Sequence, residues 1–239
     1  MTLATRLLSP LALASLLFLV PPNVAAGGFA GITIGWGDTD WSYQSDIYMD
    51  CMNPTDTTLV VSFAAARDLE GVTVLEGHVD FCTYPFDLPE WWQFEQAGGC
   101  RVGGLGVDAD FSAGPSTHTD PWQGNATVTY DFISPHLTPD RARIAVRVET
   151  SEPVSLAAFE EYYAFRVEFR VPNPGPCAGC QFPACFVIND AIDITHAGGV
   201  ESIMGNAYSN YASWMGHPGC SFVISVQPST WGRMKADYR

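Results

Sequence analysis

The cysteines are the residues of this chain whose spacing most clearly predicts chemistry. The last four follow the spacing C-x2-C-x4-C-x34-C, and four thiolates so arranged could in principle hold tetrahedral zinc. Disulfides are the default outcome in an exported chain, so we favour two disulfides within this group over zinc. An odd total leaves at least one thiol unpaired, and we predict that this is Cys51. The cysteines predicted to form disulfides are Cys82, Cys100, Cys177, Cys180, Cys185 and Cys220.

Tryptophans beside carboxylates form a second set of candidates. Trp91 and Trp92 are adjacent, and in a strand adjacent side chains point to opposite faces, so we expect one indole to lie at a surface, a loop cover or an interface. An exposed indole next to carboxylates suits a sugar ring, which has an apolar face and a hydroxyl rim. Tryptophans that cover a loop over the core are the commoner alternative. The predicted ligand-binding residues are Trp91, Trp92, Glu90 and Trp122.

Acidic loops are the only metal candidates besides the cysteines. Calcium prefers several oxygen ligands at flexible spacing, and an exported acidic β-protein is a suitable host. No segment has the alternating Asp loop with a Gly and a distal Glu, so solvated acidic loops are the alternative. The calcium candidates are Asp38, Asp40, Asp108 and Asp110, and no other cofactor is expected.

Catalytic motifs are absent from the sequence: it contains no G-x-S-x-G, no H-E-x-x-H and no P-loop. Some His, Asp and Glu pairs are close along the chain, but any acidic protein offers such pairs, and none identifies a nucleophile. We therefore expect a protein that is not an enzyme, with a glycoside hydrolase as the less favoured class. The pairs are His78 with Asp80, His118 with Asp120, Glu90 with Glu95, and Glu160 with Glu161.

Charge and composition exclude several classes of protein. Acidic residues number 26 against 11 basic ones, which gives a formal net charge of -15 and argues against nucleic acid and anionic lipid as partners. The chain of 239 residues is 47% hydrophobic and 15% charged, so it is neither intrinsically disordered nor a coiled coil. It is long enough for a sizeable core.

The first 26 residues are typical of a secretory signal. Arg6 supplies a positive start, residues 11–20 form a short apolar stretch, and small residues precede the expected cleavage after Ala26. No later stretch is long and apolar enough to predict a membrane span. We predict that the mature chain is secreted or periplasmic and that residues 27–239 form a single domain.

Two-residue alternation is the main structural signal. Apolar side chains at positions 142, 144, 146 and 148 alternate with polar ones, and positions 163 to 171 repeat the pattern. About nine short strands between Gly- and Pro-rich loops predict an all-β fold, an antiparallel β-sandwich or jelly roll joined by disulfides. Helix is expected only in short pieces, at residues 156–161 and in a C-terminal segment, 231–238, capped by Ser229.

Three stretches carry a resemblance to a known group: residues 88–101, residues 177–189, and the closing residues 229–239 with the sequence STWGRMKADYR. Together they resemble uncharacterised exported bacterial proteins that end in a similar TWG..K..YR tail. The resemblance covers most of residues 27–239 and implies export and a shared fold. It implies no activity.

The favoured function is therefore an exported, non-enzymatic β-sandwich that binds a ligand, with carbohydrate or a cell-surface partner as the candidates. The alternative is a structural or surface-assembled protein in which residues 229–239 act as a docking or sorting tail. That tail is basic on an otherwise acidic chain, with Arg233, Lys235 and Arg239 close together. The sequence leaves the oligomeric state open.

Overall fold

The architecture is given by a computed structural model, which describes residues 30–37, 45–83, 87–112, 117–172, 175–205 and 210–216. The predicted signal peptide, Cys220, and the predicted C-terminal helix and tail lie outside these residues. Asp38 and Asp40 also lie outside them.

Two β-sheets form the molecule. The smaller sheet is antiparallel, in the order β1-β3-β8-β5, and the larger has eight strands. The strands are β1 Gly31–Trp36, β2 Asp46–Ile47, β3 Thr57–Ala64, β4 Leu69–Thr83, β5 Leu105–Asp108, β6 Ala126–Ile133, β7 Arg141–Leu156, β8 Glu161–Phe169, β9 Ala184–Val187, β10 Ile192–His196, β11 Gly199–Ile203 and β12 Tyr211–Trp214.

The long strand β4 organises the larger sheet. It pairs with β7 along one side, and β7 pairs with the edge strand β6. On its other side β4 pairs with β10 through Glu76, Leu75 and Val74, and then with β9 from Asp80 to Thr83. The remaining strands extend the order to β11-β10-β4-β9-β12-β2, in which β12 and β2 are parallel. On this side of β4, residues 77–79 therefore lie in the gap between the end of the β10 pairing and the start of the β9 pairing.

The core lies between the two sheets, and its residues follow the alternation seen in the sequence. Ala142, Ile144, Val146 and Val148 of β7 are buried, and they belong to one apolar cluster with residues of the smaller sheet such as Phe165. The prediction of an all-β sandwich is confirmed.

The helical expectation at residues 156–161 is wrong. Leu156 ends β7 and Glu161 begins β8, so these residues form the turn between two strands. The helical segment found among the described residues is a three-residue 3-10 helix, Glu90–Trp92. None of the described helical structure is long and apolar enough to cross a membrane.

The disulfide pairing differs from the predicted one. Cys51 pairs with Cys180, and Cys100 pairs with Cys177, across 129 and 77 residues of sequence. Cys185 is also disulfide-bonded. Cys82 in β4 is the buried free thiol, so both the unpaired Cys51 and the paired Cys82 of the prediction are wrong.

The physical reason is that the fold brings distant loops together. The C-x2-C pair spans a turn whose two thiols reach different neighbours, which also removes the alternative of a four-thiolate zinc site. The two disulfides indicate a location outside the reducing cytosol.

Candidate functional site

The predicted aromatic binding residues are part of the core. Trp91, Trp92 and Trp122 are 2%, 0% and 1% exposed, so the prediction of an exposed indole is wrong, and tryptophans that cover the core are what the structure contains. The reason is that Trp91 and Trp92 lie on a 3-10 helix instead of a strand, and both turn inward. The Trp122 indole N–H donates to the carbonyl oxygen of Ala164 at 2.9 Å. Glu90 alone of this set is exposed.

The described calcium candidates are held in local contacts. Asp108 pairs with Arg166 at 2.9 Å and accepts the backbone N–H of Asp110. Asp110 accepts the backbone N–H of Ser112 at 2.9 Å, and hydrogen bonding from the Ser112 side chain, together with this backbone bond, holds the pKa of Asp110 below its usual value. Within the described ranges no group of three or more His, Cys, Asp or Glu side chains is arranged to hold a metal. Calcium at these residues stays a prediction.

The histidines of the two His and Asp pairs contact carboxylates other than the ones paired with them in the sequence. His78 Nδ1 lies 3.7 Å from Asp190 Oδ2, whereas Asp80 binds Arg143. His118 faces Glu161 at 3.6 Å, where burial lowers the pKa of His118 and the carboxylate opposes that effect. Neither pair has the arrangement of a base held against a nucleophile.

A groove crosses the outer face of the larger sheet. It has a volume of about 550 Å³, and its floor is Ala145 of β7. In the sheet register Ala145 lies between Asp131 of β6 and His78 of β4. The Ala145 methyl is short, so this row of side chains is lower than the rows of long side chains on either side. Three strands spaced at about 4.8 Å make the row about 10 Å across.

Arginines lie on both sides of Ala145 along β7, and one of them, Arg147, lines the groove. Arg147 Nε donates to Glu149 at 2.6 Å and Nη1 donates to Glu76 at 2.5 Å, and these bonds raise the pKa of Arg147. Arg143, outside the lining, binds both oxygens of Asp80, at 2.6 and 2.8 Å.

Arg143 is connected to the groove through Asp190, which lines it. Arg143 Nη2 also donates to Asp190 at 3.1 Å, and Asn189 donates to Asp80 at 3.1 Å. Burial raises the pKa of Asp80, but the bonds from Arg143 and Asn189 outweigh that effect and the net shift is downward. Asp80 is therefore an ionised carboxylate at neutral pH.

The groove as a whole is acidic. Asp131 and Asp193 add carboxylates to those of Glu76 and Asp190, while among the described residues Arg147 is the one arginine that lines it. Asp193 is oriented by the Ser202 hydroxyl, which donates to it at 2.5 Å. The result is a preformed surface of hydrogen-bond acceptors, since carboxylate oxygens accept hydrogen bonds.

A second depression, of about 470 Å³, lies beside the 3-10 helix. Gln93, Glu95 and Gln96 line it together with Phe132 and Pro135. Gln93 is held in place because its side-chain amide donates to the carbonyl oxygen of Leu88 at 2.5 Å. Glu95, named in the sequence as a carboxylate partner of Glu90, therefore lies in a concave site, although the neighbouring indoles are buried.

Sequence reasoning missed most of the groove. It named His78, but not Glu76, Asp131, Asp190 or Asp193, because these come from three strands and a loop whose register the sequence does not specify. One signal was available: the outward row of β7 reads Arg143, Ala145, Arg147, and a small residue between two long ones predicts a depression.

Comparisons with known proteins add little. Neither a scan of protein-family models nor a search of curated proteins finds a match. Among solved structures, the chain is similar to a cohesin module from Clostridium perfringens ATCC13124 family 33 glycoside hydrolase. The two share 8% identity with a TM-score of 0.38, over 78% of this chain and 93% of that one. The class that the fold itself defines is a two-sheet β-sandwich with disulfides.

Proposed function

We propose that this protein is an exported, non-enzymatic binding module that recognises carbohydrate in the groove over Ala145. The single observation that carries the proposal is the groove itself, a preformed acidic trough on an otherwise regular sheet face. Sugar hydroxyls can donate hydrogen bonds, and the carboxylate oxygens of the groove offer them acceptors at fixed positions.

The lining of the groove supports binding because its charged side chains are already held in place. Arg147 is held by Glu76 and Glu149, and Asp190 is held by Arg143 from outside the lining, so these side chains lose little freedom when a ligand enters. Preorganisation of this kind raises affinity, because the ordering cost is not incurred on binding. The length across three strands, about 10 Å, accommodates a short oligosaccharide.

The same contacts favour binding over hydrolysis. A glycosidase needs one carboxyl group that is protonated near neutral pH and acts as the acid. In the groove, Glu76 accepts a hydrogen bond from Arg147, Asp190 accepts one from Arg143, and Asp193 accepts one from the Ser202 hydroxyl. Each of these carboxylates therefore already acts as a hydrogen-bond acceptor within the fold, which is the role of a binding surface and not that of a free acid.

The test is a glycan array probed with the wild-type chain and two tyrosine variants. Ala145→Tyr fills the floor, and Thr127→Tyr places the same side chain on the exposed outer face of β6, outside the groove lining. We expect Ala145→Tyr to weaken binding to the best array glycan at least 10-fold and Thr127→Tyr to leave it unchanged. Both variants should keep the wild-type circular dichroism spectrum.

A second pair of variants tests the chemistry. Asp193→Asn and Asp131→Asn keep the shape and remove one charge each, and a hydrogen bond to a charged group contributes about 1.5–3 kcal/mol, or roughly 10- to 100-fold in affinity. Failure of the wild-type chain to bind any glycan would overturn the carbohydrate assignment. Equal binding by wild type and Ala145→Tyr would overturn the assignment of the groove.

A further inference from the structure

Arg101 is a buried cation in a rigid turn. The residue is 1% exposed, and the disulfide from Cys100 to Cys177 fixes the chain immediately before it. Its carbonyl oxygen accepts the backbone N–H of Gly104 at 2.8 Å. A side chain at Gly104 would place its Cβ 2.8 Å from the carbonyl oxygens of Arg101 and Arg170, so the close turn requires glycine there.

The guanidinium is stacked on aromatic rings. Its central carbon lies 4.0 Å from the centre of the Trp91 ring and 5.5 Å from that of Phe94. A cation over an aromatic face is attracted by the negative charge density of the ring, more strongly when both groups are desolvated. This contact holds the group in place but supplies no hydrogen-bond acceptor.

The hydrogen-bond donors at this position have no acceptor within the part of the chain that the structure describes. Nε, Nη1 and Nη2 of Arg101 are buried without a hydrogen-bond partner, and so is Nε1 of Trp91, the ring on which the guanidinium lies. The indole nitrogen of the adjacent Trp92 is also buried without a hydrogen-bond partner among the described residues. Arginine and tryptophan nitrogens can only donate, so this cluster is complementary to an acceptor.

Arg101 keeps its charge in spite of burial. Burial lowers the pKa of Arg101 to about 10, with Asp56 acting in the opposite direction, so the group is cationic at neutral pH. Asp56 acts on the pKa of Arg101 through its charge. The Oδ1 atom of Asp56 accepts the backbone N–H of Val171 at 2.7 Å. A desolvated charge without a hydrogen-bonded counterpart is strongly unfavourable, so this geometry calls for an anionic acceptor.

We propose that Arg101 and Trp91 bind a small monovalent anion, of the size of chloride or formate, within the fold. The anion is small because the guanidinium is enclosed. It is monovalent because the cost of removing water from an ion rises steeply with its charge, and one guanidinium offsets one charge. This site is distinct from the groove, whose acidic lining repels anions.

The test measures unfolding against chloride for the wild-type chain, with gluconate as the replacement anion at constant ionic strength. An ion that binds only the folded state lowers the unfolding equilibrium constant by the factor 1 + [L]/Kd, about 100-fold when chloride reaches 100 times its Kd. We expect this dependence in wild type and its loss in Arg101→Met. Arg67→Met is the control, because Arg67 is 62% exposed in its side chain and pairs with Glu201 at the surface. Equal chloride dependence in wild type and Arg101→Met, including none in either, overturns the proposal.

A second measurement keeps the proposal testable if Arg101→Met does not fold. Chloride-35 NMR on the wild-type chain should show line broadening that formate removes by competition. Trp91→Phe keeps the ring under the guanidinium and removes its N–H, and we expect it to weaken chloride several-fold. Broadening that formate does not reverse, or none at all in the wild-type chain, overturns the assignment.

Discussion

Replacement of Trp92 by alanine separates a core role from a binding role for the adjacent tryptophans. The Trp92 side chain is 0% exposed, and its ring centre lies 5.1 to 5.7 Å from those of Trp214, Phe186, Phe81 and Phe169. Phe169 belongs to the smaller sheet and the other three to the larger one. Trp92 therefore joins the two sheets at one end of the core.

The expected cost follows from the buried area. A buried tryptophan covers about 200 Å², and at about 25 cal/mol per Å² its transfer contributes about 5 kcal/mol. Measured Trp→Ala costs in cores are about 3–5 kcal/mol. We expect Trp92→Ala to lower the free energy of unfolding by about 4 kcal/mol and the melting temperature by about 8–16 °C.

The assay is urea unfolding followed by far-UV circular dichroism with the disulfides intact. Val200→Ala is the control, because Val200 is 63% exposed and should change stability by less than about 0.5 kcal/mol. The folded fraction of Trp92→Ala should bind array glycans as wild type does, because the groove is on the outer face of the larger sheet. If Trp92→Ala were as stable as the wild-type chain but had lost glycan binding, this reasoning would be refuted, and the Trp92 indole would be assigned to the binding site.

The remaining predictions concern the disulfides, the free thiol and the ion pair beside the groove. Replacing Cys51 and Cys180 together by alanine should lower stability by about 4 kcal/mol on loop entropy alone, since the Cys100–Cys177 bond lies within the 129-residue span and shortens the closed loop to about 50 residues; a loss below 1 kcal/mol in urea unfolding would contradict this. Cys82 should resist iodoacetamide at pH 8 in the folded chain and react in urea, by mass spectrometry, because burial raises the pKa of its thiol to about 11; labelling of the folded chain would count against it. Arg143→Ala should cost about 3 kcal/mol by leaving Asp80 without its partner, a loss that chemical denaturation measures. The pKa of Asp80 is lowered in the folded state, so the stability that ionised Asp80 contributes is fully present above about pH 4 and is lost as pH falls through the folded-state pKa. The difference in unfolding free energy between wild type and Asp80→Asn should therefore shrink below about pH 4. A difference that stays constant with pH would refute the assignment.

Pairing of distant residues explains where sequence reasoning succeeded and where it failed. The alternation at residues 142 to 148 predicted both the strand and its buried face, because a strand places successive side chains on opposite faces whatever its neighbours are. The same rule misled at Trp91 and Trp92, since it holds only for strands and these residues lie on a 3-10 helix. Pro89, directly before this 3-10 helix, was the local sign against a strand.

The candidate sites show the same division. Each carboxylate of the groove is ordinary in the sequence, and the site exists because β4, β6 and β7 bring Asp131, Ala145 and His78 into one row. Arg101 carries no sequence signal either, because a cation next to a disulfide is expected at a surface. The Arg101 guanidinium is shielded from water because Trp91 and Phe94 pack against it.

The sequence by itself determined the class of fold, the acidic charge, the cysteine count and the faces of the long strands, because these depend on composition and on periodicity within one segment. The tertiary structure alone decided which cysteines pair, which indoles are buried and where an acidic groove opens. Those outcomes depend on register and on contacts between residues as far apart as Cys51 and Cys180, and chain connectivity leaves such distances free until the two sheets pack.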